Sequence, residues 1–382
     1  MSKASRQRFA IVGGGLAGWS LAWALTRHQG VAGEEVVVID EGRGCRGSSS
    51  PATMFHAFPG RRMSCRRGLC GHYEVSWRQI EEWLDELGGT WCRQQPMVRP
   101  LEDDERGQRL KESWREGRDE YPSLLESELV ESAELRERFE GVEWEGEALV
   151  YGPSAAVVMP ELVERMAKVL VDDGVQEVDG RAVEVASDEG WKVVLDSGEV
   201  VGAEEVILSV GYGLAEWFPG LDLRQRAGEV ALLSVPGESL GALVNARKHV
   251  FERPDGLWGI GSTYFGVEDW DNRHDGQVVE ALLEGVRGAV PAVEEAEIVE
   301  VWRGIRSVFG SDHQPLVGDV PGNEGLRVFS AFGSKGLVWI PSTANGMARY
   351  LVDGEQEAIG KWMRSERMSA DKWKSPRISP QS

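Results

Sequence analysis

The chain has 382 residues, 41% of them hydrophobic and 27% charged, with a formal net charge of −21. That length accommodates two core-forming units, and the composition is ordinary for a globular protein in water. The charge repels polyphosphate backbones at long range and argues against nucleic-acid binding, although Arg61, Arg62, Arg66 and Arg67 form one local basic strip. No run of 18 apolar residues occurs, so no membrane span is expected. The opening MSKASRQRF lacks the apolar core and cleavage site of a signal peptide, which reads as a cytoplasmic protein. Cys45, Cys65, Cys70 and Cys92 are expected as free thiols. Cys65 and Cys70 have no matching second pair and only His72 nearby, so no metal site is expected.

Phe9-Ala10-Ile11-Val12 is a short apolar run of the kind a buried parallel strand requires. Gly13-Gly14-Gly15-Leu16-Ala17-Gly18 follows at once, giving GxGxxG at Gly13, Gly15 and Gly18. Residues 16–25 are predicted as a helix with Leu21 and Leu25 on one face, and 36–39 as a second strand ending at Asp40. In a chain with 47 glycines, chance alone supplies on the order of one GxGxxG match, so the motif needs its context. The context is there: strand before, helix after, and an acid 22 positions beyond the third glycine. Gly13 permits the tight turn, Gly15 lets the backbone approach a pyrophosphate, and Gly18 lets helix and strand pack closely. The helix N-terminus offers free N–H groups and a positive dipole end to the phosphates. Asp40 is placed to accept the adenosine ribose hydroxyls, and an acid there favours an unphosphorylated ribose. These residues do not separate FAD from NAD.

From Gly44 to Ser50 the chain is small and polar, as in a loop passing close to a cofactor or along the surface. Residues 76–90 are predicted helical, with Ile80, Trp83, Leu84 and Leu87 on one face. Residues 102–147, rich in Glu, Arg and Asp, read as exposed elements of a lobe. A helix is expected over 159–170, strands over 181–186 and 191–195, and an apolar strand over 205–209 that enters Gly211-Tyr212-Gly213. Alternating patterns at 229–234, 247–251 and 257–262 predict an antiparallel sheet distinct from the nucleotide-binding part. A helix at 275–289 and a strand at 298–301 follow. A strand over 326–331 runs into Phe332-Gly333-Ser334-Lys335-Gly336-Leu337, and Ser342 is read as the N-cap of a helix over 343–351. A glycine loop entering a helix this late is a second anion-facing site. An NAD dehydrogenase has no evident use for it; a flavin does, because its N1–C2=O edge gains negative charge on reduction. The polar segment after Met368 is expected to be a disordered tail.

IVGGGLAG with VVVID, GSSSPATMFHAFPGRR, HVFERPDGLWGIGSTY, WRGIRSVFGSDHQPLVGD and AFGSKGLVWIP run in that order along the chain. On these pieces the sequence resembles the D-amino-acid-oxidase-like superfamily of FAD-dependent oxidoreductases. FGSKGL and GIRS…DHQPLVGD look closest to glycine-oxidase-like enzymes and to the oxidoreductase half of the bifunctional tRNA wobble-uridine modification enzyme. The resemblance implies an α/β fold with an α+β second lobe. A Rossmann-type FAD-binding domain with a parallel sheet would be assembled from 1–72, 153–222 and 306–382. A substrate domain with an antiparallel sheet would come from 73–152 and 223–305, and 369–382 would form the tail. The resemblance further implies FAD as cofactor, with Gly13, Gly15, Gly18 and Asp40 binding ADP and Ser49 lying by the pyrophosphate or flavin. Val183 would meet the adenine through its backbone, and Gly333, Ser334, Lys335, Gly336 and Leu337 would meet the flavin. Two departures stand out: the family's small Ala-Gly pair is Ala52-Thr53 here, and its Asn-Pro is His56-Ala57. Some relatives attach the flavin through histidine or cysteine. His56 is the candidate for that, and it reads more simply as a buried or solvated histidine.

The expected reaction is oxidation of a C–N bond in a small amine or amino acid by hydride transfer to flavin N5, with oxygen or another acceptor taking the electrons. The flavin carries the chemistry, so the protein has only to position the substrate and keep its amine unprotonated. Arg306 is the candidate clamp for a substrate carboxylate, with a salt bridge inside the FAD domain as its alternative. Tyr264 and Trp339 are read as pocket or core aromatics, and His313 as an acid–base group or a cap. Two further readings are a tRNA-base-modifying oxidoreductase and a flavin-binding protein without catalysis.

Overall fold

The computed structural model describes residues 6–42, 47–57, 69–120, 126–237, 239–272, 274–310 and 312–379. They divide into two compact units, one holding the chain up to Ser49, Val163–Arg226 and the chain from Ile305 on, the other Ser50–Leu162 and Ala227–Gly304. The α/β class with parallel and antiparallel sheets is as the sequence implies. Residues 50–57, 69–72 and 153–162 fall in the second unit, where Thr53–Phe55 and Cys92–Gln94 both pair with Ala155–Val157. The basic strip at Arg61–Arg67, together with Cys45 and Cys65, lies outside the described residues.

The first unit is built on five parallel strands in the spatial order Gln176–Asp179, Val36–Asp40, Gln7–Val12, Val200–Leu208 and Leu326–Ser330. Gln7–Val12 is central, and Phe9, Ala10, Ile11 and Val12 are buried, as a strand covered on both faces must be. Gly190–Leu195 and Ala182–Asp188 extend this sheet as antiparallel strands. Helix Leu16–Trp23 leaves the first strand with seven of its eight residues buried and continues as a π-turn over Ala24–His28. Such an all-round apolar helix belongs inside a core, and this one packs against helix Gly336–Asp353. The intervening turn depends on two glycines. Gly13 has φ +112°, and a Cβ there would stand 2.5 Å from the Ser209 carbonyl oxygen; a Cβ on Gly18 would collide with the Gly13 carbonyl.

Two expectations for the C-terminal part are corrected. The helix expected over 343–351 begins at Gly336 and contains Pro341 and Ser342; Ser342 is no cap, its Oγ donating to the carbonyls of Val338 and Trp339. Pro341 stands inside this helix, where it cannot donate to the Leu337 carbonyl. Residues 369–379 are ordered: Trp373 packs edge-on against Phe218, and Ile378–Ser379 pairs in parallel with Ala182–Asp188. Polar composition hid one buried indole and one short pairing.

The second unit carries a sheet in the order Phe265–Gly266, Leu223–Ser234, Trp258–Gly261, His249–Glu252, Leu243–Asn245, Met97–Pro100, Ala148–Gly152 and Glu126–Val130. From Leu223–Ser234 onward the pairings are antiparallel, except for Leu243–Asn245 beside Met97–Pro100, which is parallel. Directly opposed residues Val150, Val98, Val244, Val250, Ile260 and Ala231 run across one face, and Val278, Val279 and Leu282 of helix Asp275–Leu283 belong to the same core. The period of two places Arg99, Tyr151, Asn245 and His249 on the other face. Leu110, Trp114 and Leu135 are buried as well, so the charge-rich 102–147 stretch is not wholly exposed.

His56, 5% exposed, lies with its Nδ1 3.4 Å from the Tyr151 hydroxyl. Burial, and then the charges of Arg99 and His249, push its pKa down to about 3. Because the unfolded chain protonates near 6.5 and the folded one does not, His56 contributes its full stability above pH 6.5. That contribution declines below 6.5 by about 1.4 kcal/mol per pH unit and is exhausted as pH falls through about 3.

Two measurements test this account. Gly18→Ala should lower stability in urea by about 2 kcal/mol, whereas Gly276→Ala, where a Cβ meets open space, should change it little. The stability gap between the parent and His56→Asn should narrow by about 1 kcal/mol between pH 7 and 5.5; an unchanged gap contradicts a buried neutral imidazole.

Candidate functional site

In an open α/β sheet, ligands bind beyond the carboxyl ends of the strands, where the strand order reverses. Here the order reverses about Gln7–Val12: Val36–Asp40 and Gln176–Asp179 lie to one side, Val200–Leu208 and Leu326–Ser330 to the other. Two backbone bonds knit this point together, from Gly13 N–H to the Ile39 carbonyl at 2.7 Å and from Ser209 N–H to the Val12 carbonyl at 2.7 Å. Gly13, Asp40, Ser209 and Ala331 therefore all stand at one edge of the sheet.

Asp40 is tied into that edge by backbone donors. Its Oδ2 accepts the Gly14 N–H at 2.6 Å and its Oδ1 the Gly42 N–H at 2.8 Å. Helix Leu16–Trp23 begins at Gly15 with no side-chain cap and no acid in its first turn, so its leading N–H groups and dipole are open to an anion. Opposite stands the one-turn helix Gly47–Ser49, where a Cβ on Gly15 would come 2.8 Å from Ser48 Oγ. The Ser209 hydroxyl, 6% exposed, has no hydrogen-bond partner among the described residues. A bare-backbone cradle, an open helix start and a spare buried hydroxyl suit a diphosphate ester. Ser48 and Ser209 were not singled out in the sequence; only the strand ends, read together, could have found them.

Val183 lies one strand group away. Ala182 pairs with Leu195 and Glu184 with Val194, so Val183 is an extra residue in the ladder, a bulge whose backbone groups are left over from pairing. The sequence gives no sign of that bulge.

At the far side of the edge, Leu326–Ser330 ends in Ala331 with φ +63° and Gly333 with φ +61°. This left-handed backbone is strained for Ala331, and it swings Gly333–Lys335 into a single turn that starts helix Gly336–Asp353. The helix has no acid in its first turn. Lys335 is half-buried at its start, and burial pushes the amine below the usual lysine range. Two helix N-termini, Leu16 and Gly336, thus open at the carboxyl edge of one sheet.

Arg306 is half-buried on strand Glu297–Phe309 and already has a partner within the chain. Trp339 is core, packed edge-on against Trp362, and Tyr264 is 51% exposed. His313 is exposed with φ +58°. Arg303, not singled out in the sequence, pairs with fully buried Glu229 at 3.2 Å and with Asp275, which gives it a structural role. Among the described residues, no group of three or more His, Cys, Asp or Glu side chains could hold a metal ion, and no helix is long and apolar enough to cross a membrane.

Comparison with known proteins agrees with this geometry. The family model described as "DAO: FAD dependent oxidoreductase" matches residues 8–350. Glycine oxidase of Bacillus licheniformis is 23% identical over 361 residues, covering 88% of this chain and 91% of that protein. Glycine oxidase of Pseudomonas putida is 28% identical over 162 residues, 41% of this chain and 44% of that protein. The crystal structure of glycine oxidase from Geobacillus kaustophilus superposes with a TM-score of 0.78 at 20% identity, covering 92% of this chain and 95% of that one. L-amino acid deaminase from Proteus myxofaciens superposes with a TM-score of 0.78 at 16% identity, covering 97% and 95%. FAD is the cofactor of the matching family. The chain belongs to the DAO family of FAD-dependent oxidoreductases.

Proposed function

We propose that the protein oxidises the C–N bond of a small amine or amino acid, giving an imine that water hydrolyses. The observation that carries this reading is the pair of helix N-termini at one sheet edge, in a chain whose relatives include proteins named glycine oxidase. FAD, when bound, accepts the hydride from the carbon bearing the nitrogen.

The chain's own residues divide the remaining work. Gly13, Gly15, Gly18 and the start of helix Leu16–Trp23 hold the pyrophosphate through bare backbone N–H groups. Asp40, fixed by Gly14 and Gly42, accepts from the adenosine ribose. The backbone of Val183, released by its bulge, pairs with the adenine edge. Ser49 lies by the pyrophosphate or flavin. Gly333, Ser334, Lys335, Gly336 and Leu337 face the flavin with a helix N-terminus and a lysine, a positive setting that favours added negative charge. Arg306 holds a substrate carboxylate through its guanidinium fork. Oxygen or another acceptor takes up the electrons.

Anaerobic addition of small amines and amino acids to the yellow holoprotein is the direct test. At least one should bleach the flavin absorbance within turnover times; no bleaching by any of them would leave a flavin carrier without this activity. Lys335→Met should lower the midpoint potential of bound FAD by about 30 mV, the equivalent of about 1.4 kcal/mol for two electrons. An unshifted potential would remove Lys335 from the flavin's surroundings.

A further inference from the structure

The proposed function leaves the last residues of the chain without a task. The family match ends at residue 350, yet the chain beyond it is ordered to Ser379 and returns to the sheet of the first unit. Trp373 is 2% exposed and packs edge-on against Phe218, with ring centroids 5.0 Å apart. Gly220 admits this backbone closely: a Cβ there would stand 2.8 Å from the Lys372 carbonyl oxygen. Farther on, Ile378 and Ser379 pair in parallel with Val185 and Ala186, and the Val185 N–H donates to the Arg377 carbonyl at 2.9 Å.

The place of that pairing is informative. Strand Ala182–Asp188 carries its bulge at Val183, and the pairing takes hold at Val185, directly past it. Before the bulge, the Gly180 N–H donates to the Asp40 carbonyl at 2.9 Å, and the Asp196 N–H to the Arg181 carbonyl at 2.9 Å. The bulge is thus held from both directions, by the Asp40 strand before it and by the C-terminal strand after it. Side chains repeat the connection. Arg181 and Arg377 both donate to Glu216 Oε2, at 3.0 and 2.6 Å, and the Arg377 guanidinium lies 5.5 Å from the centre of the Trp217 ring. Arg181 Nε also stands 3.9 Å from a carboxylate oxygen of Glu41, the residue after Asp40. On the other flank of Val183, Glu184 accepts from the Ser379 hydroxyl. These polar contacts are partly exposed and individually weak, so the strand pairing carries most of the hold. A strand that only protected a sheet edge would have no need to grip both flanks of the bulge. A bulge that offers backbone groups to a ligand does need it, because its own ladder is interrupted there.

We propose that Ala370–Ser379 is a strap that fixes the adenosine half of FAD, with Arg377 and Ser379 as positioning residues acting through the Val183 bulge. The strap rests on the reading that puts the adenine at Val183 and its ribose at Asp40.

The test follows release of FAD from the full-length holoprotein on dilution, read as the recovery of free-flavin fluorescence, beside the midpoint potential of the FAD still bound. Ser379→Pro, which takes a backbone donor out of the short strand, should raise the dissociation constant about tenfold. Arg377→Gln should raise it about threefold, and Arg377→Lys, which keeps a cation beside Glu216, by less. None of the three should move the potential, because the flavin is read at the Gly336 end of the edge. Lys168→Gln, which breaks an exposed ion pair with Asp172 elsewhere in the unit, should leave FAD release unchanged. Unchanged release in Ser379→Pro overturns the strap, and so does a loss of FAD that comes with a shifted potential, the mark of a general loosening. If Ser379→Pro does not fold, Arg377→Gln against Arg377→Lys decides. Asp40→Ala separates the strap from the reading beneath it. Weaker FAD in Asp40→Ala with unchanged release in Ser379→Pro refutes the strap alone; unchanged release in Asp40→Ala moves the adenosine away from this edge and refutes both.

Discussion

Everything in the nucleotide-binding unit depends on the parallel pairing of one six-residue strand with neighbours on both sides. Gln7–Val12 shares registers with Val36–Asp40 and Val200–Leu208, and the two bonds at its carboxyl end set the spacing of three strand ends to within a hydrogen bond. Gln7–Val12 and Val36–Asp40 are buried along nearly their whole length and Val200–Leu208 at its carboxyl end, which fixes their register. The glycines, Asp40, the Ser209 hydroxyl and the two helix starts then inherit their positions. The geometry of the candidate site is a by-product of strand register.

How much of this was legible in the sequence follows from how local each feature is. The strand–glycine–helix–strand–acid unit occupies some thirty consecutive residues, so its meaning survives in one dimension. The late glycine loop was equally readable, since Gly333–Lys335 sits directly between its strand and its helix. Its helix start was misjudged because Ser342 has the residue type of an N-cap, whereas its hydroxyl bonds back to the Val338 and Trp339 carbonyls inside the helix. Arg99, Tyr151, His56 and His249 could not be grouped at all. Their separations along the chain are long; strand pairing sets Arg99, Tyr151 and His249 on one face, and His56 reaches the Tyr151 hydroxyl from outside that sheet. The bulge at Val183 is a defect of register between two strands, and no single strand's sequence records it.

The two units place charge differently. In the first, the candidate site presents backbone N–H groups and helix ends, which carry partial charges and need no counter-ion. In the second, formal charges are buried: Arg303 pairs with Glu229 and Asp275, and Arg99 lies beside the Tyr151 phenol. The net charge of −21 says nothing about either arrangement, since a few buried cations govern what a small anion meets while the surface acids govern what a large polyanion meets.

The parallel pairing of Ile378–Ser379 with Ala182–Asp188 has a consequence for biosynthesis. The strands of the second unit all lie between Thr53 and Gly304 or begin there, whereas the first sheet draws on residues from Gln7 to Ser379. A ribosome therefore releases a nearly complete substrate-side sheet while the first βαβ segment still lacks its neighbours Leu326–Ser330 and Ile378–Ser379. The first sheet therefore closes only after Ile378–Ser379 has emerged, later than the sheet of the second unit.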